Sequence, residues 1–84
     1  MKTKRIGRFI GADPKVCHGK LTFRGTRILV SDVLELVAAG MDWAEIISEC
    51  HDSISRPAIA EAIRLGGLAI VQHEDAYRER LASV

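Results

Sequence analysis

The spacing of the hydrophobic positions changes near residue 30. Before it, short apolar pieces such as Phe9-Ile10 and Leu21-Thr22-Phe23 alternate with glycines and an Asp-Pro pair. Such punctuation breaks helices and is typical of short strands joined by turns. Residues 6–28 are therefore predicted to form a two-stranded ribbon with an irregular loop between its strands. Because an isolated ribbon is only marginally stable in water, it must pack against the rest of the chain.

After Val30 the apolar positions recur every three or four residues, as on one face of a helix. A first helix is predicted to begin at a capping box of Asp32 and Glu35, with Ser31 as the alternative cap, and to end at Gly40. The same spacing starts a second helix with Asp42 and Glu45. The buried stripe expected on that second helix is Trp43, Ile46, Ile47 and Cys50.

A third helix is predicted to begin near Ser55-Arg56-Pro57, because proline fits the first turn of a helix. If it continued unbroken to Leu81, it would be about 38 Å long. A compact domain of this size is about 30 Å across, so the helix would overhang. Two outcomes stay open: the helix breaks at Gly66-Gly67, or its C-terminal part docks on another chain. Its apolar stripe is Ile59, Ile63, Gly66, Ile70, His73, Tyr77 and Leu81.

The second and third helices have the layout of a helix-turn-helix, in which the later helix lies in the major groove of DNA. The outer face of the third helix is expected to carry Arg56, Ala60, Glu61 and Arg64. A three-helix core with no DNA role explains the same pattern. The predicted fold class is mainly α, a three-helix, homeodomain-like core with a short N-terminal β-ribbon. It is one domain, with a basic arm over residues 1–30 and a helical region over 31–84.

Charge is divided along the 84-residue chain although its net value is only +1. Residues 1–30 carry eight lysines and arginines against Asp13 alone, a net charge of +7, whereas residues 31–84 carry four arginines against ten acids, a net charge of −6. Such asymmetry indicates either binding of nucleic acid or an acidic protein, or neutralisation within the chain or a sister chain. The residues expected to contact DNA are Lys4, Arg5, Arg8, Arg24, Arg27, Arg56 and Arg64.

Other function classes find little support in the sequence. The pairs Cys17-His18 and Cys50-His51, with His73, lack the ligand spacing of structural zinc sites, so no metal and no cofactor are expected. We see no nucleophile triad, phosphate-binding glycine loop or carboxylate pair, so the chain is not expected to be an enzyme. It has no apolar run long enough for a membrane span and no signal peptide, which predicts a cytoplasmic protein.

Three blocks of the sequence resemble a large prokaryotic family, domain of unknown function four-three-three. They are Asp13-Pro14-x-Val16-x-x-Gly19-Lys20, Phe23-Arg24-Gly25-Thr26-Arg27-Ile28-x-Val30 and Leu36-x-x-x-Gly40-x-x-x-x-Glu45-Ile46, within about residues 6–66. Members are similar to antitoxins, often accompanied by a toxin that looks like a PIN-domain ribonuclease. The resemblance implies a homeodomain-like helix-turn-helix with a small β element. The chain departs from the family pattern at His18, Leu21 and Leu29, where glycine, proline and proline are usual.

The leading hypothesis is a homodimeric, antitoxin-like protein that binds operator DNA and blocks a PIN-type nuclease toxin with its C-terminal helix. An arginine inserted into an acidic nuclease site can pair with its carboxylates and exclude the metal ion. The alternative is a protein-interaction or dimerisation module that does not bind DNA, in which Arg24 and Arg27 bridge to acids such as Asp32 and Glu35. The residues expected to contact the toxin are His73, Tyr77, Arg78, Arg80 and Leu81.

Overall fold

A computed structural model describes the backbone of residues 4–82, and their side chains except at positions 4, 5, 77, 81 and 82. The predicted class, a mainly helical chain with a short N-terminal β element, is confirmed. Three strands come first: β1 (Lys4–Arg5), β2 (Ile10–Ala12) and β3 (Leu21–Phe23). The helices follow: α1 (Val30–Ala38), α2 (Trp43–Glu49), α3 (Arg56–Gln72) and α4 (Glu74–Ala82).

The strands form an antiparallel sheet in the order β1-β2-β3. β2 and β3 are the two strands of the predicted ribbon, with Ile10 opposite Phe23 and Ala12 opposite Leu21, and β1 adds a third strand on the other side of β2. The irregular loop between β2 and β3 contains a 3-10 turn at Cys17–Gly19. In that turn His18 has a φ of 57°, a left-handed conformation that glycine adopts at less cost.

The ribbon packs on the helices, as expected because an isolated ribbon is only marginally stable. Ile10 and Phe23 contribute the sheet side of the hydrophobic core and are 0% and 2% exposed. The helical side and its connecting loop contribute Val30, Val33, Ile46, Ile54, Ala58, Ile59 and Ala62. One continuous core therefore joins β2 and β3 to the first three helices.

The capping box predicted for α1 is wrong. α1 begins at Val30, two residues before Asp32, and its first turn has no side-chain cap. The cause is tertiary: an isolated bridge pairs Leu29 with Thr22, and this bridge delivers the chain directly into the helix. At the end of the helix, Gly40 adopts the expected left-handed conformation, with a φ of 86°.

The starts of α2 and α3 agree better with the sequence-based prediction than the start of α1 does. Asp42 is the residue before α2, as predicted, although its side chain makes no capping hydrogen bond. Ser55 caps α3 through its hydroxyl oxygen, which accepts a 3.3 Å hydrogen bond from the Ala58 backbone N–H. Pro57 lies in the first turn of α3, where its missing N–H costs nothing.

α3 continues through Gly66 and Gly67 and ends at Gln72, so neither the predicted break at the glycines nor a single helix to Leu81 is found. His73 separates it from α4. Beyond Gly66 the helix leaves the core, and Leu68, Ile70 and Val71 are more than half exposed. We call residues 67–82 the C-terminal limb. The described part of the chain measures 40 × 36 × 19 Å, which exceeds the diameter of a compact domain of this length.

Candidate nucleic-acid interface

Glu61 of α3 joins the ribbon to the helices. Its carboxylate accepts hydrogen bonds from the backbone N–H groups of Arg8 at 2.6 Å and Phe9 at 2.7 Å. A Cβ atom at Gly7 would collide with that carboxylate, so the segment approaches α3 more closely than a larger residue allows. The expectation that Glu61 lies on an outer, DNA-facing surface of α3 is therefore wrong. The carboxylate instead fixes the bend between β1 and β2 against the helix.

The turn after β3 presents two arginines to solvent. Gly25 has a φ of 79°, and the Thr26 hydroxyl donates to the Phe23 carbonyl at 2.7 Å while accepting from the Ile28 N–H at 3.0 Å. These bonds close the turn and leave Arg24 and Arg27 exposed. Gly25 and Thr26 therefore form the turn through their own backbone conformation and local hydrogen bonds.

Arg24 lies beside a third ribbon arginine. Its guanidinium donates a 3.2 Å hydrogen bond to the backbone carbonyl of Arg8. The Arg8 guanidinium in turn lies 5.3 Å from the centre of the Phe9 ring, a cation–π distance. The guanidinium groups of Arg8 and Arg24 are thus positioned by an aromatic contact and a backbone hydrogen bond rather than by ion pairs with carboxylates.

An open groove of about 800 Å³ lies against this turn. Arg24 and Arg27 lie in its wall, and the only carboxylate in its lining is Asp13, one oxygen of which accepts a 2.9 Å hydrogen bond from the Lys15 N–H. The groove is open to solvent, and the charged side chains in its lining are Asp13, Arg24 and Arg27. Its lining consists of Gly11, Asp13, Val16, Thr22, Arg24, Gly25, Thr26 and Arg27.

The ribbon arginines make no ion pair with carboxylates of the described residues. The salt bridges found there lie on α4, where Arg78 pairs with Glu74 at 3.5 Å and with Asp75 at 3.0 Å. The bridges from Arg24 and Arg27 to Asp32 and Glu35, considered as the alternative in the sequence, are absent from this part of the chain. Neutralisation of the ribbon within its own chain is therefore not observed for Arg8, Arg24 or Arg27.

On α3, Arg56 and Arg64 are both exposed, as predicted for a helix that approaches DNA. Lys4 and Arg5 make up strand β1, of which the structure describes the backbone but not the side chains. The basic surface defined by described side chains consists of Arg8, Arg24 and Arg27 on the ribbon and Arg56 and Arg64 on α3. We call this set the basic surface.

The strands β2 and β3, the helices α1 and α2 and the first part of α3 lie in the part of the chain that a known family shares. A family model described as Protein of unknown function (DUF433) matches residues 10–65. The chain belongs to the DUF433 family. This membership confirms the resemblance carried by the Asp-Pro, Phe-Arg-Gly-Thr-Arg and Leu-to-Ile blocks. No curated protein and no solved structure matches the chain. The DUF433 match ends at Leu65, so the C-terminal limb lies beyond it.

The limb holds the residues predicted to contact a partner. His73 and Arg80 are exposed, and Arg78 is already engaged with Glu74 and Asp75 of its own helix. The predicted contacts Tyr77 and Leu81 have side chains outside the described residues. His73 ends α3 rather than packing on an apolar face. Among the described residues, no helix is long and apolar enough to cross a membrane.

The cysteines and histidines do not form a metal site in the described residues, where no cluster of three or more candidate ligands occurs. Cys17 donates a weak 3.6 Å hydrogen bond to the Arg27 carbonyl beside the groove. Cys50 is half-buried at the end of α2, consistent with the predicted stripe, and burial, reinforced by the charge of Glu49, raises the pKa of its thiol. Sequence reasoning missed the role of Glu61, because nothing local marks a helix carboxylate as the acceptor for backbone groups 52 and 53 residues away.

Proposed function

We propose that this DUF433 chain is a cytoplasmic, prokaryotic, antitoxin-like protein that binds operator DNA as a homodimer. The observation that carries the DNA part is the basic surface: Arg24 and Arg27 lie in the wall of an open groove, and the ribbon arginines have no carboxylate partner in the described residues. Phosphate oxygens are the counterions that such a surface fits, since arginine can present two parallel N–H donors to one phosphate. The basic sequence of residues 1–30 supports the same function.

The hydrogen bonds of Glu61 fix the position of the ribbon part of the basic surface relative to the part on α3. Because the carboxylate holds the backbone of Arg8 and Phe9 against α3, the ribbon arginines and Arg64 move as one body. Binding DNA then requires little ordering of the protein, and less of the phosphate attraction is lost to conformational entropy. In this arrangement the ribbon contacts the backbone of the duplex, and the N-terminal part of α3 approaches base edges.

DNA binding is tested by a fluorescence anisotropy titration of duplex DNA from upstream of the protein's own gene. If four cations of the basic surface meet phosphates, log Kd should change with log salt with a slope of magnitude about 3.6. The double variant Arg24→Ala/Arg27→Ala should lower that slope by about 1.8. The matched control is Arg78→Ala/Arg80→Ala, which removes the same charge from α4 and should leave the slope unchanged.

The thermal midpoint of each variant separates binding from structure. Loss of DNA affinity in Arg24→Ala/Arg27→Ala with an unchanged midpoint supports direct contact. A lowered midpoint, together with no DNA affinity in the unsubstituted protein, contradicts the proposal and assigns the arginines to the fold.

The toxin part of the proposal concerns the C-terminal limb. Arg80 is exposed and can reach the acidic, metal-binding site of a PIN-type nuclease, whereas Arg78 would first have to leave Glu74 and Asp75. Co-purification of a nuclease encoded beside the gene should be lost when residues 72–84 are deleted, and Arg80→Ala should weaken it more than Arg78→Ala does. Unchanged co-purification after the deletion would contradict this assignment.

A second candidate function is an interaction module that does not bind DNA. The exposed aliphatic side chains of the limb favour it, because they offer a contact surface that needs no nucleic acid. The two functions separate in the titration described above, since an interaction module retains its partner but shows no salt-dependent DNA affinity.

A further inference from the structure

The aliphatic side chains of the limb have no cover from their own chain. Leu68, Ile70 and Val71 are 53%, 55% and 66% exposed, and Ile63 just before them is 39% exposed. With Ala69 they form a consecutive apolar run, which on a helix points in all directions rather than to one side. A helix that is apolar all round is normally buried. Ile63 and Ile70, seven residues apart, lie on one face of α3, and this face is therefore a candidate contact for a second helix.

The glycine pair beside this run has no explanation within the chain. Neither Gly66 nor Gly67 has a positive φ, so the backbone does not need glycine at either position. A Cβ at Gly67 would meet nothing within 4 Å, and one at Gly66 would meet only the Leu34 Cδ1 at an ordinary 3.8 Å. Glycine inside a helix lowers helix stability relative to alanine. A second helix crossing close to the backbone is an arrangement that uses both glycines.

The charges that flank the run decide the orientation of the second helix. Arg64 precedes it, and Glu74 and Asp75 follow it. An identical helix laid antiparallel brings the arginine end of each copy toward the acidic end of the other, where Glu74 and Asp75 also pair with Arg78 of their own helix, whereas a parallel helix places like charges together. Opposite charges at the two ends make this stretch complementary to itself.

We propose that a second copy of this chain docks on the limb, with the two α3 helices antiparallel and crossing at Gly66-Gly67. Ile63 of each copy then faces Ile70 of the other, and Gly66 faces Gly67. The inference rests on the homodimer of the proposed function and names its interface. The end of α4 stays available to another partner.

The test is the molar mass of the full chain by sedimentation equilibrium over a wide range of concentrations, without DNA. The unsubstituted protein should be a dimer, and Ile70→Asp should be a monomer with the helix content, by circular dichroism, that the unsubstituted protein shows when it is diluted to its monomer. Gly67→Leu should also weaken the dimer, although a Cβ at that position meets nothing within 4 Å among the described residues of its own chain. The matched control is Leu21→Asp on β3, an aliphatic residue 44% exposed, which should leave the dimer intact.

Charge exchange tests the orientation. Arg64→Glu should raise the dimer dissociation constant by about 2–5-fold, the range of a partly exposed ion pair. Arg64→Glu combined with Glu74→Arg should restore it. A monomeric unsubstituted protein overturns the inference, as does a dimer that persists in both Ile70→Asp and Gly67→Leu. Because DNA affinity is measured separately, a monomer that still binds DNA removes the interface and leaves the DNA function standing.

Discussion

The ribbon and the C-terminal limb differ in what holds them. The ribbon places Ile10 and Phe23 in the core, and Glu61 fixes its bend through two short hydrogen bonds. In the limb, α4 contacts mainly α3, and the described ion pairs lie within α4. The ribbon, which carries more cationic charge, is thus held more firmly by contacts within its own chain. The limb, which has more exposed aliphatic surface, is held less firmly.

This difference separates two kinds of interaction surface. The ribbon is fixed before it meets a ligand, so its arginines suit a rigid, repetitive partner such as the phosphates of a duplex. The limb lacks a core of its own, and helices of its length are marginal in water without packing. It is therefore expected to gain its stability on contact with another protein chain.

The largest expected change in unfolding free energy comes from truncating a core residue of the ribbon. Phe23→Ala leaves a cavity between the sheet and the helices and should cost about 3–5 kcal/mol of unfolding free energy. Leu68→Ala in the limb should change it by less than about 0.5 kcal/mol at concentrations where the chain is monomeric. Urea unfolding measures both, and equal losses would contradict the contrast.

The next effect concerns the ribbon's tie to α3. Glu61→Ala removes the acceptor of the Arg8 and Phe9 N–H groups and should cost about 1–3 kcal/mol. Glu45→Ala, an exposed acid on α2, is the matched control and should cost little.

Gly7→Ala should act through the same contact, because the added methyl displaces the Glu61 carboxylate. The two changes should therefore not add: Gly7→Ala should cost much less in a Glu61→Ala background than in the unsubstituted protein. Additive losses in urea unfolding would show that the glycine matters for another reason.

A smaller effect is expected in the limb. The Arg78 pairs with Glu74 and Asp75 join side chains that are 66–95% exposed, so Arg78→Ala should change the unfolding free energy by about 0.5 kcal/mol or less. A loss comparable to that of Glu61→Ala would mean that the limb is held by its own chain after all.

The smallest effect concerns Cys50, whose thiol pKa is raised by burial and by Glu49. A raised pKa in the folded state means that folding favours the protonated thiol over the thiolate. This contribution to stability is therefore complete below the pKa of Cys50 in the unfolded chain, and it is lost as the pH rises through the pKa of Cys50 in the folded protein. In a Cys17→Ser background, the alkylation rate of Cys50 should therefore rise at higher pH in the folded protein than in urea. Coincident pH profiles would contradict this.

Local sequence patterns predicted much of the ribbon and of the helix boundaries. Gly40 and Pro57 act within a few residues of themselves, and each was assigned its observed role. The start of α1 was not predicted, because the pairing of Leu29 with Thr22 overrides the capping signal at Asp32.

The candidate site was predicted as a set of charges but not as an arrangement. The exposure of Arg24 and Arg27 follows from the turn chemistry around them, whereas the placement of Glu61 depends on contacts more than fifty residues apart in sequence. The continuous α3 through Gly66-Gly67 also could not be predicted, since glycine inside a helix is tolerated when the flanking turns favour the helix.

Hydrogen exchange of the backbone amides, followed by mass spectrometry at low and high protein concentration, tests the contrast between ribbon and limb most directly. Amides of residues 7–12 should exchange slowly at both concentrations, because Glu61 and the sheet protect them. Amides of residues 67–80 should exchange quickly in the dilute protein and slowly in the concentrated one. Limb amides as protected as the ribbon in the dilute protein, or a ribbon that exchanges as quickly as the limb, would contradict it.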